Sequence, residues 1–165
     1  MNFALSAAVV MLCTGAGMYF SKRLKEREGQ LCAVLLFVKE LTVQIRYTNS
    51  KICDILKEAS ANAAYRKLGF ITDCASINEN GDFHGIWSEG VKNQPFLDQR
   101  DKELLFALGE RLGETDTDGQ LSFLEMTEAM LAAQREEARE DYGKKSRMYR
   151  SVGLLCGLAL GITVL

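Results

Sequence analysis

The sequence predicts an all-α protein, built as a cytoplasmic antiparallel helical bundle with one transmembrane helix at each end of the chain. Composition is the first reason, because only one proline occurs in 165 residues and residues that favour helices are abundant. The second reason is that apolar residues in the middle of the chain recur at helical spacing. The third is an apolar segment at each end, with basic residues on its inner side only.

The first apolar segment extends from Phe3 to Phe20, and residues 1–21 are predicted to form an N-terminal transmembrane anchor. No basic residue precedes it, and a basic cluster follows at once: Lys22, Arg23, Lys25 and Arg27. Because positive flanks stay on the cytoplasmic side of a membrane, this cluster would orient the anchor. A cleaved signal peptide is a weaker alternative, since its positive charge would come first. A buried core helix is the other alternative.

The second apolar segment closes the chain, and residues 148–165 are predicted to form a C-terminal transmembrane anchor. A second orienting cluster precedes it: Lys144, Lys145, Arg147 and Arg150. The two clusters together predict that residues 22–147 are a cytoplasmic helical bundle and that both termini lie outside. The segment is near the lower length limit for crossing a bilayer, so shallow insertion is the alternative.

Glycines recur at every fourth position of this second segment, at Gly153, Gly157 and Gly161. This spacing places all three on one stripe of a helix, where small residues let two helix backbones approach closely in lipid. The stripe predicts a packing face for the other anchor or for a second membrane protein. The alternative is that glycine is simply common in membrane helices.

Three helices are predicted in the first half of the bundle. Apolar residues at positions i, i+3, i+4 and i+7 indicate a long amphipathic helix from Leu31 to Tyr47 that continues the first basic cluster. Residues 48–50 supply turn chemistry and an N-cap. A second helix is predicted over Ile52–Ala59, and a third over Tyr65–Ile77.

The second half of the bundle follows a loop at residues 78–82, which is rich in Asn, Gly and Asp. A short helix is predicted over Phe83–Val91, with Trp87 filling the core. A further apolar stripe extends from Leu104 to Leu112. The last helix is predicted to begin near Thr117 and to continue into the second basic cluster.

Catalytic chemistry is not predicted. The five cysteines show no CxxC spacing for zinc or redox chemistry, and the single histidine, His84, has no recognisable nucleophile partner. The net charge of -2 gives no reason to expect nucleic acid. The sequence therefore predicts a protein that is not an enzyme, with no cofactor, no nucleic-acid partner and no small-molecule substrate.

Residues 114–125 nearly match the twelve-residue EF-hand loop. The calcium ligands would be Asp116, Asp118, the Gln120 carbonyl and Glu125. Glu114 stands where the loop should open with Asp, and the sequence has no second such loop. The alternative is a helix end followed by acidic residues that cap the next helix. A membrane-tethered calcium sensor is accordingly the alternative function.

Three stretches of this chain resemble the stage III sporulation protein AB family of endospore-forming bacteria. They are residues 41–48, residues 108–116 with Gln120 after them, and residues 142–153 with the closing apolar run. The chain departs from the family pattern at residues 49–51, where relatives often carry Thr-Pro-Leu. In the family, the pattern around residues 108–120 marks a corner between two helices.

The resemblance implies a platform subunit in the secretion-like, channel-like complex between mother cell and forespore, required for sporulation. The family is similar to the inner-membrane platform protein of type II secretion and type IV pilus systems, which couples a cytoplasmic ATPase to the membrane assembly. The expected partners are the sporulation ATPase, stage III sporulation protein AA, and other membrane subunits of the same complex. The expected location is the cell membrane, with two passes, on the mother-cell side of the outer forespore membrane.

An acidic stretch of the last helix is a candidate docking surface for that ATPase. It comprises Glu125, Glu128, Glu136, Glu137, Glu140 and Asp141, together with Arg135 and Arg139. The simpler interpretation is a solvated helix face in which opposite charges pair at i, i+4 spacing.

Overall fold

A computed structural model describes residues 2–48, 51–77, 81–112 and 117–164, and side chains for all of these except residues 2–7, 9, 117, 157, 158 and 160–164. Every regular element in the described ranges is helical, which confirms the all-α prediction. The six α-helices are α1 (Asn2–Thr48), α2 (Ile52–Ala61), α3 (Gly69–Ala75), α4 (Phe83–Lys92), α5 (Gln99–Arg111) and α6 (Thr117–Val164).

The two long helices begin and end close to the predicted positions. Helix α1 contains 47 residues and continues from the first apolar segment through the basic cluster to Thr48, as predicted. Helix α6 contains 48 residues. It passes through Gly143 without a break, so this glycine costs helix propensity but does not end the helix.

The chain forms two compact units. The terminal unit comprises Met1–Glu28 and Glu136–Leu165, and the central unit comprises Gly29–Arg135. Helices α1 and α6 contribute residues to both units. The sequence predicted a different division, into residues 1–21, 22–147 and 148–165. That division was based on hydropathy and charge rather than on contacts, and it stays a prediction.

The prediction of a membrane-spanning helix at each end of the chain is wrong. Among the residues that the structure describes, no helix has a stretch both long and apolar enough to cross a membrane.

The core of the central unit is an apolar cluster to which all six helices contribute. Its fully buried large side chains include Phe37 of α1, Ile55 and Leu56 of α2, Phe70 and Ile71 of α3, Trp87 of α4 and Leu105 and Leu108 of α5, and α6 adds Leu124 and Leu131. Trp87 fills the core as predicted. Its ring packs edge-on against Phe70, with ring centroids 4.9 Å apart.

The helix predicted over Tyr65–Ile77 is shorter than expected. A 3-10 turn at Ala63–Tyr65 precedes it, and α3 begins only at Gly69. The Asn62 side chain accepts a hydrogen bond from the Ala64 N–H at 3.0 Å, which favours a turn over a helix start. The Gln94 amide donates to the Lys67 carbonyl at 2.5 Å, so a distant part of the chain holds this turn.

Side-chain caps position α4 and α5, but not α2. The Asp82 carboxylate accepts the Gly85 N–H, and Asp98 and Asp101 form a reciprocal capping box at the start of α5, an arrangement that satisfies otherwise unpaired helix N–H groups. Lys51 is the N-cap residue of α2, and its side chain forms no capping hydrogen bond. The sequence placed this N-cap within residues 48–50, and Thr48 does not form it. Asn49 and Ser50 lie outside the described residues.

Candidate interaction surfaces

In the terminal unit, α1 and α6 come close at glycines. A Cβ atom built on Gly17 would lie 2.5 Å from the Tyr149 carbonyl oxygen, and one built on Gly153 would lie 2.8 Å from the Cys13 carbonyl oxygen. No real Cβ tolerates such distances, so both positions need glycine for this approach. Gly153 is thus at a helix contact. The side-chain surroundings of Gly157 and Gly161 lie outside what the structure describes, and the glycine-stripe prediction stays a prediction for them.

A buried polar cluster lies in the same helix contact. The hydroxyl oxygens of Ser21 and Ser146 are 2.6 Å apart, and both residues are buried. The Arg150 guanidinium donates a hydrogen bond from Nε to the Ser21 hydroxyl oxygen at 3.1 Å. Because buried hydroxyls are costly without partners, this cluster stabilises one register of α1 against α6.

Large apolar side chains of the terminal unit point away from this contact. Met11 and Leu12 are 75% and 74% exposed, and Met18, Tyr19, Leu155 and Met148 are also exposed. Phe20 packs against Tyr149 at a centroid distance of 5.7 Å but keeps about half of its surface free. Small and polar groups therefore fill the contact, while apolar groups form the outer surface.

The basic residues predicted to orient the ends divide into two groups. Lys144 and Lys145 form ion pairs with Glu140 at 2.6 Å and with Asp141 at 2.7 Å, and the hydrogen bond to Glu140 raises the pKa of Lys144. Arg150 contacts Ser21, and Arg27 is half-buried and has a polar contact. Among the described residues, no ion-pair or hydrogen-bond partner faces the exposed side chains of the remaining four, Lys22, Arg23, Lys25 and Arg147.

In the central unit, two ion pairs join α1 to α6. Lys39 Nζ lies 3.4 Å from a carboxylate oxygen of Glu128, and an Arg46 guanidinium nitrogen lies 2.5 Å from one of Glu125. The hydrogen bond to Glu125 raises the pKa of Arg46. Sequence reasoning missed both pairs, because the partners are 79 residues or more apart and no local pattern links them.

The exposed surface of these two helices in the central unit, here called the α1–α6 face, carries large apolar side chains on both helices. Leu36, Val43 and Tyr47 of α1 and Met126 and Met130 of α6 are all large, apolar and at least 45% exposed. Ile86 of α4 is the other large apolar side chain exposed in the described part of this unit. A shallow cavity of about 220 Å³ lies on α6, lined by Glu125, Glu128, Ala129 and Ala132.

The EF-hand interpretation does not fit the geometry. Helix α6 already begins at Thr117, so Asp118, Gly119 and Gln120 are helical rather than in a loop. The carbonyl of Gln120 therefore faces along the helix, and its side chain is buried. The Glu125 carboxylate is bound to Arg46. Asp116 lies outside the described residues, and the described ones contain no cluster of three or more potential metal ligands.

The acidic stretch of α6 is largely neutralised by its neighbours. Besides the pairs that Glu125 and Glu128 form with α1, Glu136 pairs with Arg139 at 3.6 Å, and Glu140 and Asp141 bind the lysines four residues further on. Glu137 and Arg135 also have polar contacts. This arrangement matches the simpler interpretation of a solvated, internally paired helix face.

Two reactive side chains outside these surfaces, His84 and Cys74, have packing contacts. His84 is exposed and its ring packs near that of Phe83, with centroids 5.4 Å apart. Cys74 is buried in the core. Burial, with smaller contributions from Asp73 and Cys53, raises the pKa of the Cys74 thiol to about 12, so the thiol is neutral and unreactive at physiological pH.

Two long helices that contribute to two compact units, with exposed apolar and charged side chains along them, define an all-helical protein. Comparison with known families matches residues 2–165 to stage III sporulation protein AB. The chain belongs to this family, which confirms the resemblance, and its role lies in stage III of sporulation. No curated protein and no solved structure matches the chain.

Proposed function

We propose that this chain is a platform or adaptor subunit of the secretion-like complex between mother cell and forespore, and that it docks a cytoplasmic ATPase. Its activity is binding rather than catalysis. Family membership supplies the sporulation context. The observation that carries the docking role is the concentration of exposed apolar side chains on the α1–α6 face of the central unit.

The composition of this face is suited to a protein partner. Interface cores are enriched in aromatic residues and Met, and the α1–α6 face presents Tyr47, Met126 and Met130. Flexible Met side chains adapt to a partner surface. The ion pairs of Lys39 and Arg46 with α6 join the two helices of this face.

The partner class follows from the family resemblance: the sporulation ATPase, stage III sporulation protein AA, and the other subunits of the complex. The location on the mother-cell side of the outer forespore membrane belongs to the same proposal. The structure offers no comparable support for a calcium sensor, because the described residues of its loop, 117–125, are helical and Glu125 is paired with Arg46.

The test is crosslinking and co-purification of a tagged full-length copy from sporulating cells, read by mass spectrometry. We expect recovery of the ATPase, with crosslinks to residues of α1 and α6 in the central unit, and fractionation of the tagged copy with the forespore membranes. Failure to recover the ATPase from cells in which the tagged copy still supports spore formation would overturn the docking role.

Matched variants locate the docking face. Val43→Glu and Met130→Glu place charge on the α1–α6 face, and we expect each to reduce recovery of the ATPase by at least tenfold, because a buried unpaired charge at an interface is costly. Ile86→Glu is the control, since Ile86 is also exposed and apolar but lies on α4. Equal losses for all three variants would exclude the α1–α6 face as the specific contact.

A further inference from the structure

The shallow cavity on α6 lies within the α1–α6 face and has its own chemistry. Its volume is about 220 Å³, and the described residues that line it are two carboxylates and two small apolar residues: Glu125, Glu128, Ala129 and Ala132. Pockets that hold small-molecule ligands usually measure about 300–1,000 Å³, and this cavity is below that range. A cavity of this size on a docking face is suited to a single side chain of the bound protein.

The two glutamates of the cavity are able to bind a further cation. Oε1 of Glu128 lies 3.4 Å from Lys39 Nζ, and Oε1 of Glu125 lies 2.5 Å from an Arg46 nitrogen. A carboxylate has two oxygens with about four lone-pair sites, so each group also accepts hydrogen bonds from a second donor. The side chain of Glu125 is 60% exposed and that of Glu128 is 32% exposed. The cavity wall therefore favours a basic side chain over an acidic or apolar one.

Small side chains occupy the middle of this surface of α6. Ala129, Ala132 and Ala133 are all exposed, and such small side chains let another helix pack at a short interaxial distance. A rotation of about 100° per residue places the two glutamates on one side of Ala129 around the helix axis. The same rotation places the exposed Met126 and Met130 on the other side. An amphipathic helix with a basic residue at one border of its apolar stripe matches this order of acidic, small and apolar groups.

We propose that the α1–α6 face binds an amphipathic helix of the ATPase, and that a basic side chain of this helix enters the cavity lined by Glu125 and Glu128. The aliphatic part of the basic side chain lies along the alanines of the cavity, and the apolar stripe of the helix packs on Met126 and Met130. The inference rests on the docking role proposed above and names the chemistry of the surface that docks. A charge pair enclosed by apolar contacts is typical of the few residues that dominate an interface.

The experiment measures recovery of the ATPase with tagged full-length variants from sporulating cells. Glu125→Gln with Glu128→Gln keeps the shape of the cavity and removes its charge, and we expect recovery to fall at least tenfold, because the basic side chain of the bound helix then has no carboxylate partner. Glu103→Gln with Glu110→Gln is the control, since it removes two exposed carboxylates of α5 and should leave recovery unchanged. Equal recovery with the two double variants overturns the inference.

A third double variant separates the charge of the cavity from the ion pairs within the chain. Lys39→Gln with Arg46→Gln breaks the same two ion pairs but keeps both carboxylates, so recovery of the ATPase should be unchanged or higher. A fall as large as that of the glutamate double variant would show that the ion pairs only hold α1 against α6, and it overturns the inference. Fluorescence of Trp87 equal to that of the unmodified chain shows that each variant is folded.

The results also distinguish failure of this inference from failure of the docking role. If Val43→Glu and Met130→Glu reduce recovery of the ATPase but the glutamate double variant does not, the docking role stands and the basic side chain in the cavity is excluded. If the unmodified chain recovers no ATPase while it supports spore formation, the docking role is overturned and this inference with it.

Discussion

The indole Nε1 of Trp87 donates a hydrogen bond to the Leu105 carbonyl oxygen at 2.7 Å. This contact joins α4 to α5 in the core of the central unit and satisfies the only polar atom of a fully buried side chain. Gly109 lies one turn further along α5, and a Cβ atom built there would overlap the indole ring. The Trp87 side chain fits here because Gly109, the position of α5 that faces it, has no side chain.

Gly109→Ala tests this fit. Overpacking in a close-packed core typically costs about 1–3 kcal/mol, so we expect the free energy of unfolding to fall by that amount despite the better helix propensity of alanine. The measurement is urea unfolding of the full chain followed by fluorescence of Trp87, which is the single tryptophan. Gly143→Ala is the control, because a Cβ atom there meets nothing within 4 Å. It should raise the stability by about 0.5–1 kcal/mol.

The close approach in the terminal unit can be tested with two neighbouring glycines of α1. Gly17→Ala places a methyl group 2.5 Å from the Tyr149 carbonyl oxygen, so α1 and α6 must separate, and we expect a loss of about 1–3 kcal/mol. Gly15→Ala meets nothing within 4 Å and should be neutral or slightly stabilising. Thermal unfolding followed by circular dichroism measures both. Equal melting temperatures for the two variants would contradict the described contact.

The hydrogen bond between Ser21 and Ser146 predicts an energetic coupling. Ser21→Ala leaves the Ser146 hydroxyl and Arg150 Nε without their described partner, and Ser146→Ala removes the other hydroxyl. Each variant should cost about 1–2 kcal/mol, and the double variant should cost less than the sum, with a coupling of at least about 0.5 kcal/mol. Additive effects in this double-mutant cycle would show that the two hydroxyls do not interact in solution.

Alkaline pH should destabilise the central unit through Cys74. Its folded-state pKa of about 12 lies above the unfolded value of about 8.5, so the protonated thiol stabilises the fold fully below about pH 8.5. That contribution is lost as the pH rises toward 12, at up to about 1.4 kcal/mol per pH unit. Burial and the Glu40 carboxylate likewise raise the pKa of Tyr65, which adds to the loss above about pH 10.

Urea unfolding at several pH values measures this dependence. Cys74→Ala should flatten the decline between about pH 9 and 10 relative to the unmodified chain, because no thiol then needs to ionise on unfolding. Cys32→Ala is the control, since Cys32 is exposed and its replacement should leave the slope unchanged. An equal slope for Cys74→Ala and Cys32→Ala would contradict the burial of Cys74.

Calcium should have no effect on the folded protein. The stretch at residues 114–125 is helical from Thr117 onward, and Glu125 is bound to Arg46. We therefore expect the same Tm in calcium and in a chelator, and the same result for Glu125→Gln. A calcium-dependent rise in Tm that Glu125→Gln abolishes would restore the sensor interpretation.

Most of the helices were predictable, since helix formation depends on local spacing. The stripe that includes Leu31, Val34, Val38 and Leu41 predicted which side of α1 is buried, and all four residues are buried. The burial of Trp87 followed from its place in a short apolar helix. The length of α3 was not predictable, because the Gln94 side chain, which binds the Lys67 carbonyl, comes from a distant part of the chain.

The candidate surfaces were predictable only in part. The sequence located the basic clusters, but it gave no means of separating Lys144, which is paired with Glu140, from Arg147, which has no described partner. Hydropathy and charge flanks predicted membrane-spanning ends, and the described helices do not support them. Hydropathy and flanking charge are properties of one segment of the chain. They carry no information about which helix packs against that segment.

The sequence by itself determined the all-α class, most helix positions and the family, because these depend on composition, periodicity and residue order along the chain. Only the tertiary structure decided that Ser21 binds Ser146, that Arg46 binds Glu125, and that Gly17 and Gly153 lie at a helix contact. These pairs depend on the register of α1 against α6. The register of α1 against α6 is set by many weak contacts between residues more than seventy positions apart. A local sequence pattern gives no information about such contacts.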